Sequence, residues 1–203
     1  MIALRINAAC MLVALIGCSE KPEPSPPPDS PFGRFEGEVK ATWLENGKMR
    51  LNEEFAYIDP REKKWLAPAQ AIVDGALIPK PFWSVIGGPF ADKYRQASVV
   101  HDVACVEMAE SWQAVHLMFY EACRCGGVGD SKAKLMYWAV FHFGPRWKPV
   151  SEVRVDNGNP VTVTRMVRIA PRQIDAQLLN KANEYFEDHD PTLTDIESLE
   201  FEN

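Results

Sequence analysis

The sequence predicts an α+β fold, in which a small antiparallel sheet packs on a helical hairpin and two further helices within a single domain. Strand-like alternation and turn residues dominate residues 33–73. Apolar residues then recur at helical spacing between residues 92 and 143. The chain has 203 residues, of which 46% are hydrophobic. That length is sufficient for one domain with a buried core and short for two.

Strands are expected in the first half of the folded part. Residues 33–44 have strand-like alternation, and the Asn-Gly dipeptide that follows is a strong short-range indication of a tight hairpin turn. The return strand is predicted over residues 49–58. A third strand is predicted over residues 65–73, where Pro68 can interrupt the pairing.

Helices are expected after a long loop at residues 74–90, which contains three prolines and three glycines. Ser111 and Ser131 are suitable N-caps, and Pro171 is suitable for the first position of a helix. The predicted helices are one that starts near Asp92, followed by residues 112–123, 132–143 and 171–186.

The globular domain is expected to span residues 32–188. Before its last helix, the turn sequence Asp-Asn-Gly predicts a second β-hairpin over residues 152–169. Residues 189–203 are acidic and are expected to form a flexible tail.

Residues 1–17 are predicted to be a signal peptide rather than part of the fold. Arg5 supplies a positive charge, and residues 8–16 form an apolar run that is too short to span a bilayer. The sequence Leu-Ile-Gly-Cys that ends at Cys18 resembles the bacterial lipobox, in which the cysteine is lipidated. The alternative is an uncleaved signal anchor. Ser19, where an Asp would suggest retention in the inner membrane, implies the outer membrane.

Residues 18–31 are predicted to be the lipidated cysteine and a proline-rich tether. Proline at this density favours an extended polyproline conformation of about 3 Å per residue. Such a tether would hold the domain roughly 40 Å or less from the membrane. We therefore expect a lipid-anchored protein of the outer membrane that faces the periplasm or the cell surface. Its expected partners are the membrane and an unidentified envelope protein or lipid.

The net charge of the chain bears on the class of partner that it can bind. The formal net charge is −6 at pH 7, whereas broad binding to nucleic-acid phosphates needs a concentrated basic surface, so no nucleic-acid partner is expected.

Besides the predicted lipidation site, the folded part contains Cys105, Cys123 and Cys125. An odd number allows at most one disulfide, so at least one thiol should stay free, and burial is the commoner outcome for a free cysteine.

The residues best suited to chemistry are His101 and Asp102, which stand side by side in a predicted helix with Cys105 one turn further on. The connection around residues 109–111 is short, so the two helices should form an antiparallel hairpin. His116 on the second helix would then lie opposite Cys105, in one seam with His101.

Two interpretations of this seam stay open. Either the side chains pack and form hydrogen bonds, with His116 bonded to His101 or Tyr120, or His101, Cys105 and His116 bind a transition metal such as zinc. Asp102 points about a quarter-turn away from His101. There the carbonyl groups of Gly87 and Gly88 could complete an oxygen site for calcium.

An ordered series of residues extends well beyond the His-Asp pair. It comprises Asp74-Gly75-Ala76-Leu77-Ile78-Pro79, Trp83, Tyr94, Ala97, His101-Asp102, Phe119, Gly126-Gly127-Val128, Met136-Tyr137-Trp138-Ala139-Val140, Gly144 and Trp147. Through this series, residues 55–147 resemble the domain of unknown function 1353 family of tailed phages and bacteria. The family has no settled activity, so the resemblance implies a phage-related domain and little mechanism.

The glycine loop, the His-Asp helix and the antiparallel second helix are also similar to phospholipase A2. That resemblance implies His101 as the base that activates water and Asp102 as a calcium ligand, together with the loop carbonyl groups. Both families usually have a tyrosine at the position of Cys105 and an aspartate at the position of His116. A neutral His116 can accept a hydrogen bond from His101 but cannot stabilise an imidazolium as a carboxylate does. A catalytic histidine that is correctly oriented by an acid typically gives a rate several powers of ten higher than one without that acid.

The sequence therefore favours an outer-membrane lipoprotein whose phage-related domain is non-catalytic or degenerate and acts in the cell envelope. The alternative is a calcium-dependent lipid or ester hydrolase with His101, Asp102 and His116 as catalytic residues. A third hypothesis is a fold stabilised by zinc at His101, Cys105 and His116.

Overall fold

A computed structural model describes residues 30–75, 80–88, 92–157 and 159–201. The predicted signal peptide, the lipidation site Cys18 and most of the predicted tether lie outside the described residues. The described part has an α+β fold around one continuous apolar core, so the predicted fold class is confirmed. Among the helices of these residues, none has both the length and the apolar character needed to cross a membrane.

The first half of the domain forms two antiparallel sheets of three strands each. The first sheet has the order β1-β4-β5 and the second has the order β2-β3-β6. The strands are β1 (Arg34–Glu36), β2 (Ala41–Trp43), β3 (Met49–Leu51), β4 (Phe55–Ile58), β5 (Lys64–Ala67) and β6 (Ile72–Val73).

The predicted return strand over residues 49–58 is divided between the two sheets, which corrects its boundaries. In β3, Met49 and Leu51 are buried and Arg50 is exposed, which is typical of a strand with one face in solvent. All residues of β4 are buried, which is typical of a central strand. The exposed residues 52–54 connect the two strands. The third predicted strand is interrupted after Ala67, at Pro68, as expected.

The helices that follow are α1 (Trp83–Ile86), α2 (Arg95–Glu107), α3 (Trp112–Cys125) and α4 (Asp130–Phe143). Residues 108–111 connect α2 to α3, and the two helices pack against each other as the predicted hairpin. Ser111 caps α3 as expected, because its side chain accepts a hydrogen bond from the backbone N–H of Ala114 at 3.2 Å. The N-cap of α4 is Gly129 rather than Ser131, so this helix starts earlier than predicted.

A two-stranded ribbon follows α4. It consists of β7 (Arg146–Asp156) and β8 (Asn159–Ile169), so the predicted hairpin is present but starts earlier in the chain. The indole of Trp147 anchors the base of the ribbon in the core. Val153 and Val155 near its tip are exposed.

The last part of the chain departs most from prediction. The helix expected to start at Pro171 is α5 (Ala176–Asp188), and Asp175 caps it by accepting a hydrogen bond from the N–H of Leu178 at 2.8 Å. The expected flexible tail contains a further helix, α6 (Leu193–Ser198), so that prediction is wrong for this segment. A capping box of Thr192 and Asp195 starts α6.

Helix α4 lies at the centre of the core, where it packs against α3, α5 and α6. The indole N–H of Trp138 donates to the carbonyl oxygen of Leu199 at 2.9 Å. His142 is buried, and its Nε2 lies 2.9 Å from the carbonyl oxygen of Ile196. The C-terminal segment thus covers α4, which in turn supports the α2–α3 hairpin.

Candidate functional site

His101 on α2 and His116 on α3 face each other across the helical hairpin. Nε2 of His101 lies 2.9 Å from Nδ1 of His116. The ring of His101 also packs on Phe119, with the ring centroids 4.5 Å apart. The helical hairpin therefore brings the two imidazoles into direct contact.

The protonation pattern of this pair follows from its partners. Nε2 of His116 lies 3.0 Å from the carbonyl oxygen of Pro145, which can only accept a hydrogen bond. Nε2 of His116 therefore carries the hydrogen, so Nδ1 of the neutral ring accepts the N–H that Nε2 of His101 donates.

Burial keeps both rings neutral. It lowers the pKa of His116 to about 3, although the hydrogen bond to Pro145 opposes this effect. Burial, together with the neighbouring His116, lowers the pKa of His101 well below its usual value. The pair is therefore an uncharged hydrogen-bonded unit at pH 7 and not an imidazolium held by an acid.

Cys105 completes the seam one turn after His101. Its Sγ lies 3.6 Å from Nε2 of His101. The ligand atoms of His101, Cys105 and His116 all lie within 4.8 Å of one another. Burial raises the pKa of the Cys105 thiol, with a further contribution from the charge of Asp102, so the sulfur carries its hydrogen. The structure thus brings together all three residues of the predicted zinc set.

All three cysteines of the described part, namely Cys105, Cys123 and Cys125, are free and buried. The expectation that at least one thiol stays free is confirmed. Cys123 and Cys125 both lie on α3 but are not part of the cluster that contains His101 and His116.

Asp102 binds the backbone at the end of β6. Its Oδ2 accepts hydrogen bonds from the N–H groups of Asp74 at 3.1 Å and of Gly75 at 2.6 Å. Burial raises the pKa of Asp102 to about 7, while these two hydrogen bonds oppose the rise. The carboxyl group therefore fixes the turn after β6 to helix α2.

The carbonyl groups of Gly87 and Gly88 have a different partner. The hydroxyl group of Tyr94 lies 2.9 Å from the carbonyl oxygen of Gly87 and within hydrogen-bonding distance of that of Gly88. Asp102 was expected to face these carbonyl groups, and that expectation is corrected by its contacts with the turn after β6. The physical reason is that α2 packs against β6, so the residue after His101 points to the end of that strand.

The backbone groups that complete the site were not predicted from the sequence. The N–H groups of Asp74 and Gly75 and the carbonyl group of Pro145 have no side-chain signature, although each lies in or next to the ordered series of residues described above. Tyr120, which was expected in the seam, instead donates its hydroxyl hydrogen to Asp130 at 3.2 Å.

The seam is closed to solvent. The exposed fractions of His101, Cys105 and His116 are 1%, 0% and 0%. A general base must come within about 3 Å of the proton that it removes, either directly or through one water. In this conformation the seam is suited to hydrogen bonding within the core and to binding a small ion, and less suited to attack on a bulky substrate.

Comparisons with known proteins agree with the resemblance described above. The model of a family described as "Protein of unknown function (DUF1353)" matches residues 49–140. The chain is 46% identical over 99 residues to "Uncharacterized protein y4jT" of Sinorhizobium fredii (strain NBRC 101917 / NGR234), which is 49% of this chain and 30% of that protein. It is 36% identical over 97 residues to "Uncharacterized protein y4iH" of the same strain, which is 48% of this chain and 41% of that protein. The match thus spans less than half the length of either relative. No solved structure matches the chain.

Proposed function

Because residues 49–140 match the model of a family of unknown function, we propose a function from the geometry of the site and from the N-terminal sequence. The chain is an outer-membrane lipoprotein whose folded domain is non-catalytic and binds another component of the cell envelope. The His-Asp pair serves to hold the domain together.

One observation is the main support for a non-catalytic domain: His101 is buried against a second neutral histidine. In a hydrolase of the phospholipase A2 type, an acid would orient the histidine and stabilise its charged form. His116 does neither, since its own Nε2–H is used by Pro145 and burial opposes a positive charge on either ring. Asp102, the expected calcium ligand, accepts two backbone hydrogen bonds.

The proposed location rests on the N-terminal sequence. An apolar run that is too short to span a bilayer ends in a lipobox-like motif at Cys18, and a proline-rich segment precedes the folded domain. Acyl chains on Cys18 would supply the membrane affinity, because each buried methylene contributes about 0.8 kcal/mol.

Hydrolysis of phospholipid vesicles tests the non-catalytic proposal. The full chain and the variant His101→Ala are incubated with the vesicles, with and without calcium, and released fatty acid is measured. His142→Ala is the matched control, because His142 is another buried histidine that lies outside the seam. We expect no release above background from any of the three proteins. Release that needs calcium and is lost only in His101→Ala would show that the domain is a hydrolase.

Metabolic labelling with palmitate tests the anchor. The chain is expected to be labelled and to separate with the outer membrane on a density gradient. Cys18→Ser should lose the label, while Cys10→Ser keeps it, because Cys10 lacks the aliphatic residue three positions earlier that the motif requires. Equal labelling of both variants would contradict lipidation at Cys18.

A further inference from the structure

We propose that His101, Cys105 and His116 bind one Cu(I) ion in a buried, three-coordinate site. The site is distinct from the proposed envelope-binding role. It uses two imidazoles and one thiol from two packed helices, and their ligand atoms all lie within 4.8 Å of one another. His101 and Cys105 are four residues apart on α2, a spacing that places both side chains on one helix face.

Two of the three distances between ligand atoms lie close to those of a trigonal site, and the third, between Cys105 and His116, is at most 4.8 Å. With metal–nitrogen bonds of about 2.0 Å and a metal–sulfur bond of about 2.3 Å, ligand atoms around a trigonal ion lie roughly 3.5–3.7 Å apart. Sγ of Cys105 lies 3.6 Å from Nε2 of His101, which matches this spacing. Nε2 of His101 and Nδ1 of His116 are 2.9 Å apart because a hydrogen bond joins them. Insertion of the ion would replace that hydrogen bond and widen the gap by about half an ångström.

Hydrogen bonds outside the site position two of the three ligands, His116 and Cys105. Metal-binding histidines almost always donate their second ring N–H to a carbonyl or carboxylate group, which orients the ring and selects the free nitrogen. His116 donates Nε2–H to Pro145 and directs Nδ1 into the seam. The guanidinium of Arg168 donates to the carbonyl oxygen of Cys105 at 2.9 Å, which fixes the end of α2 beside the thiol.

Charge and ligand number favour Cu(I) over zinc. A monovalent ion with one thiolate and two neutral imidazoles has no net charge, whereas a divalent ion with the same ligands would bury a net positive charge, which is costly in an apolar core. Structural zinc sites almost always have four ligands, while the cluster found among the described residues has three. A thiolate is a soft ligand that suits both Cu(I) and zinc, so the choice between the two metals rests on charge and ligand number.

Binding releases one proton for each copper ion. The thiol of Cys105 loses its hydrogen and becomes the thiolate ligand. His101 stays neutral, because its hydrogen moves from Nε2 to Nδ1 and frees Nε2 for the metal. His116 keeps its hydrogen on Nε2. The ion replaces one proton, so the charge of the core does not change.

Competition with a chromophoric Cu(I) chelator tests the proposal. Since the site is buried, the full chain in detergent is refolded without oxygen in the presence of Cu(I) and is then equilibrated with the chelator. We expect one copper for each chain, with one proton released. Cys105→Ser and His116→Gln should weaken binding by at least about 100-fold, more than the 10–100-fold typical of losing a group that only orients a ligand. The matched control is Cys123→Ser, which removes another buried thiol of the hairpin and should leave copper binding unchanged.

X-ray absorption of the copper-loaded wild-type protein provides a second test that does not depend on the folding of any variant. The expected coordination is two nitrogen ligands and one sulfur ligand. Binding that Cys105→Ser leaves intact would overturn the proposal, as would the absence of bound copper after refolding. Retention of zinc rather than copper, when both are supplied in equal amounts, would overturn the choice of metal.

Discussion

At the scale of single residues, Asp102 shows how a carboxyl group in a motif that suggests catalysis can have a structural role. Its side chain is buried, and one of its oxygens accepts the backbone N–H groups of Asp74 and Gly75. These bonds connect helix α2 to the turn after β6. Because buried N–H groups without a partner are costly, the carboxyl group and the turn depend on each other.

Replacement of Asp102 tests this role. Asp102→Ala leaves two backbone N–H groups without their acceptor and should lower the free energy of unfolding by about 1–3 kcal/mol. Asp102→Asn keeps an acceptor oxygen and should lower it less. Urea unfolding followed by circular dichroism measures both. A loss below about 0.5 kcal/mol in Asp102→Ala would mean that the hydrogen bonds contribute little.

A second buried carboxylate, Asp59, makes stability depend on pH. It accepts hydrogen bonds from the indole of Trp65 at 3.2 Å, from the N–H groups of Arg61 at 2.8 Å and Lys63 at 3.0 Å, and from the Arg61 guanidinium at 3.0 Å. Burial alone would raise the pKa of Asp59, but these bonds outweigh burial and lower it. The charged form is therefore favoured in the folded protein.

The lowered pKa of Asp59 sets the sign of the expected pH effect. The stabilisation is fully present above the pKa of the unfolded chain, about 3.9, and is lost as the pH falls through the lower pKa of the folded state. Below about pH 4, the free energy of unfolding should therefore fall more steeply in the wild-type protein than in Asp59→Asn. Urea unfolding at a series of pH values measures this difference, and parallel curves would contradict it.

At the scale of elements, the α2–α3 hairpin depends on a close approach at its far end. Gly126 ends α3 against the short 3-10 turn before α2, and a β-carbon at this position would lie 2.5 Å from the carbonyl oxygen of Lys93. The backbone angles of Gly126 are open to any residue, with φ at −73°. The requirement for glycine is therefore one of space rather than conformation.

Two glycines close in sequence provide a controlled test of this contact. Gly126→Ala should lower the free energy of unfolding by about 1–3 kcal/mol, because the backbone must shift to admit the methyl group. Gly129→Ala is the control, since a β-carbon there meets no atom within 4 Å and φ is −60°. Its cost should stay below about 1 kcal/mol, which is the typical cost of replacing a stronger N-cap residue than glycine by alanine. Thermal unfolding compares the two, and equal costs would contradict the steric explanation.

At the scale of the whole molecule, the C-terminal segment completes the core. Ile196 of α6 is fully buried, and the segment accepts hydrogen bonds from the indole of Trp138 and the ring of His142 on α4. The hydroxyl group of Tyr137 donates to Glu197 at 2.7 Å. The acidic composition of the segment suggested a solvated tail, but its few apolar residues lie on the face that contacts α4.

A comparison of two isoleucines tests the contribution of this segment. Ile196→Ala should cost about 2–5 kcal/mol, as expected for the truncation of a fully buried isoleucine. Ile169→Ala, at a position that is 41% exposed on the ribbon, should cost about 1 kcal/mol or less. Chemical unfolding measures both variants. If Ile196→Ala were as mild as Ile169→Ala, α6 would not be part of the cooperative core.

The features that sequence reasoning could predict are those that depend on neighbours along the chain. The cap at Ser111, the ribbon and the interruption of the third strand at Pro68 follow from local patterns and are present. Two errors are local and concern the starts of α4 and α5, which lie at Gly129 and Asp175 rather than at Ser131 and Pro171. The other errors concern contacts between distant segments. The division of residues 49–58 between two sheets depends on which strands pair, and the burial of α6 depends on α4.

Residue spacing within single segments was enough to predict the α+β class and to place His101 and Cys105 on one helix face. The partners of the side chains were not predictable in this way: His116 bonds to His101 rather than Tyr120 and also to Pro145, and Asp102 holds the turn after β6. Side-chain spacing shows which face of an element a residue occupies, whereas the identity of its partner depends on which segments pack together.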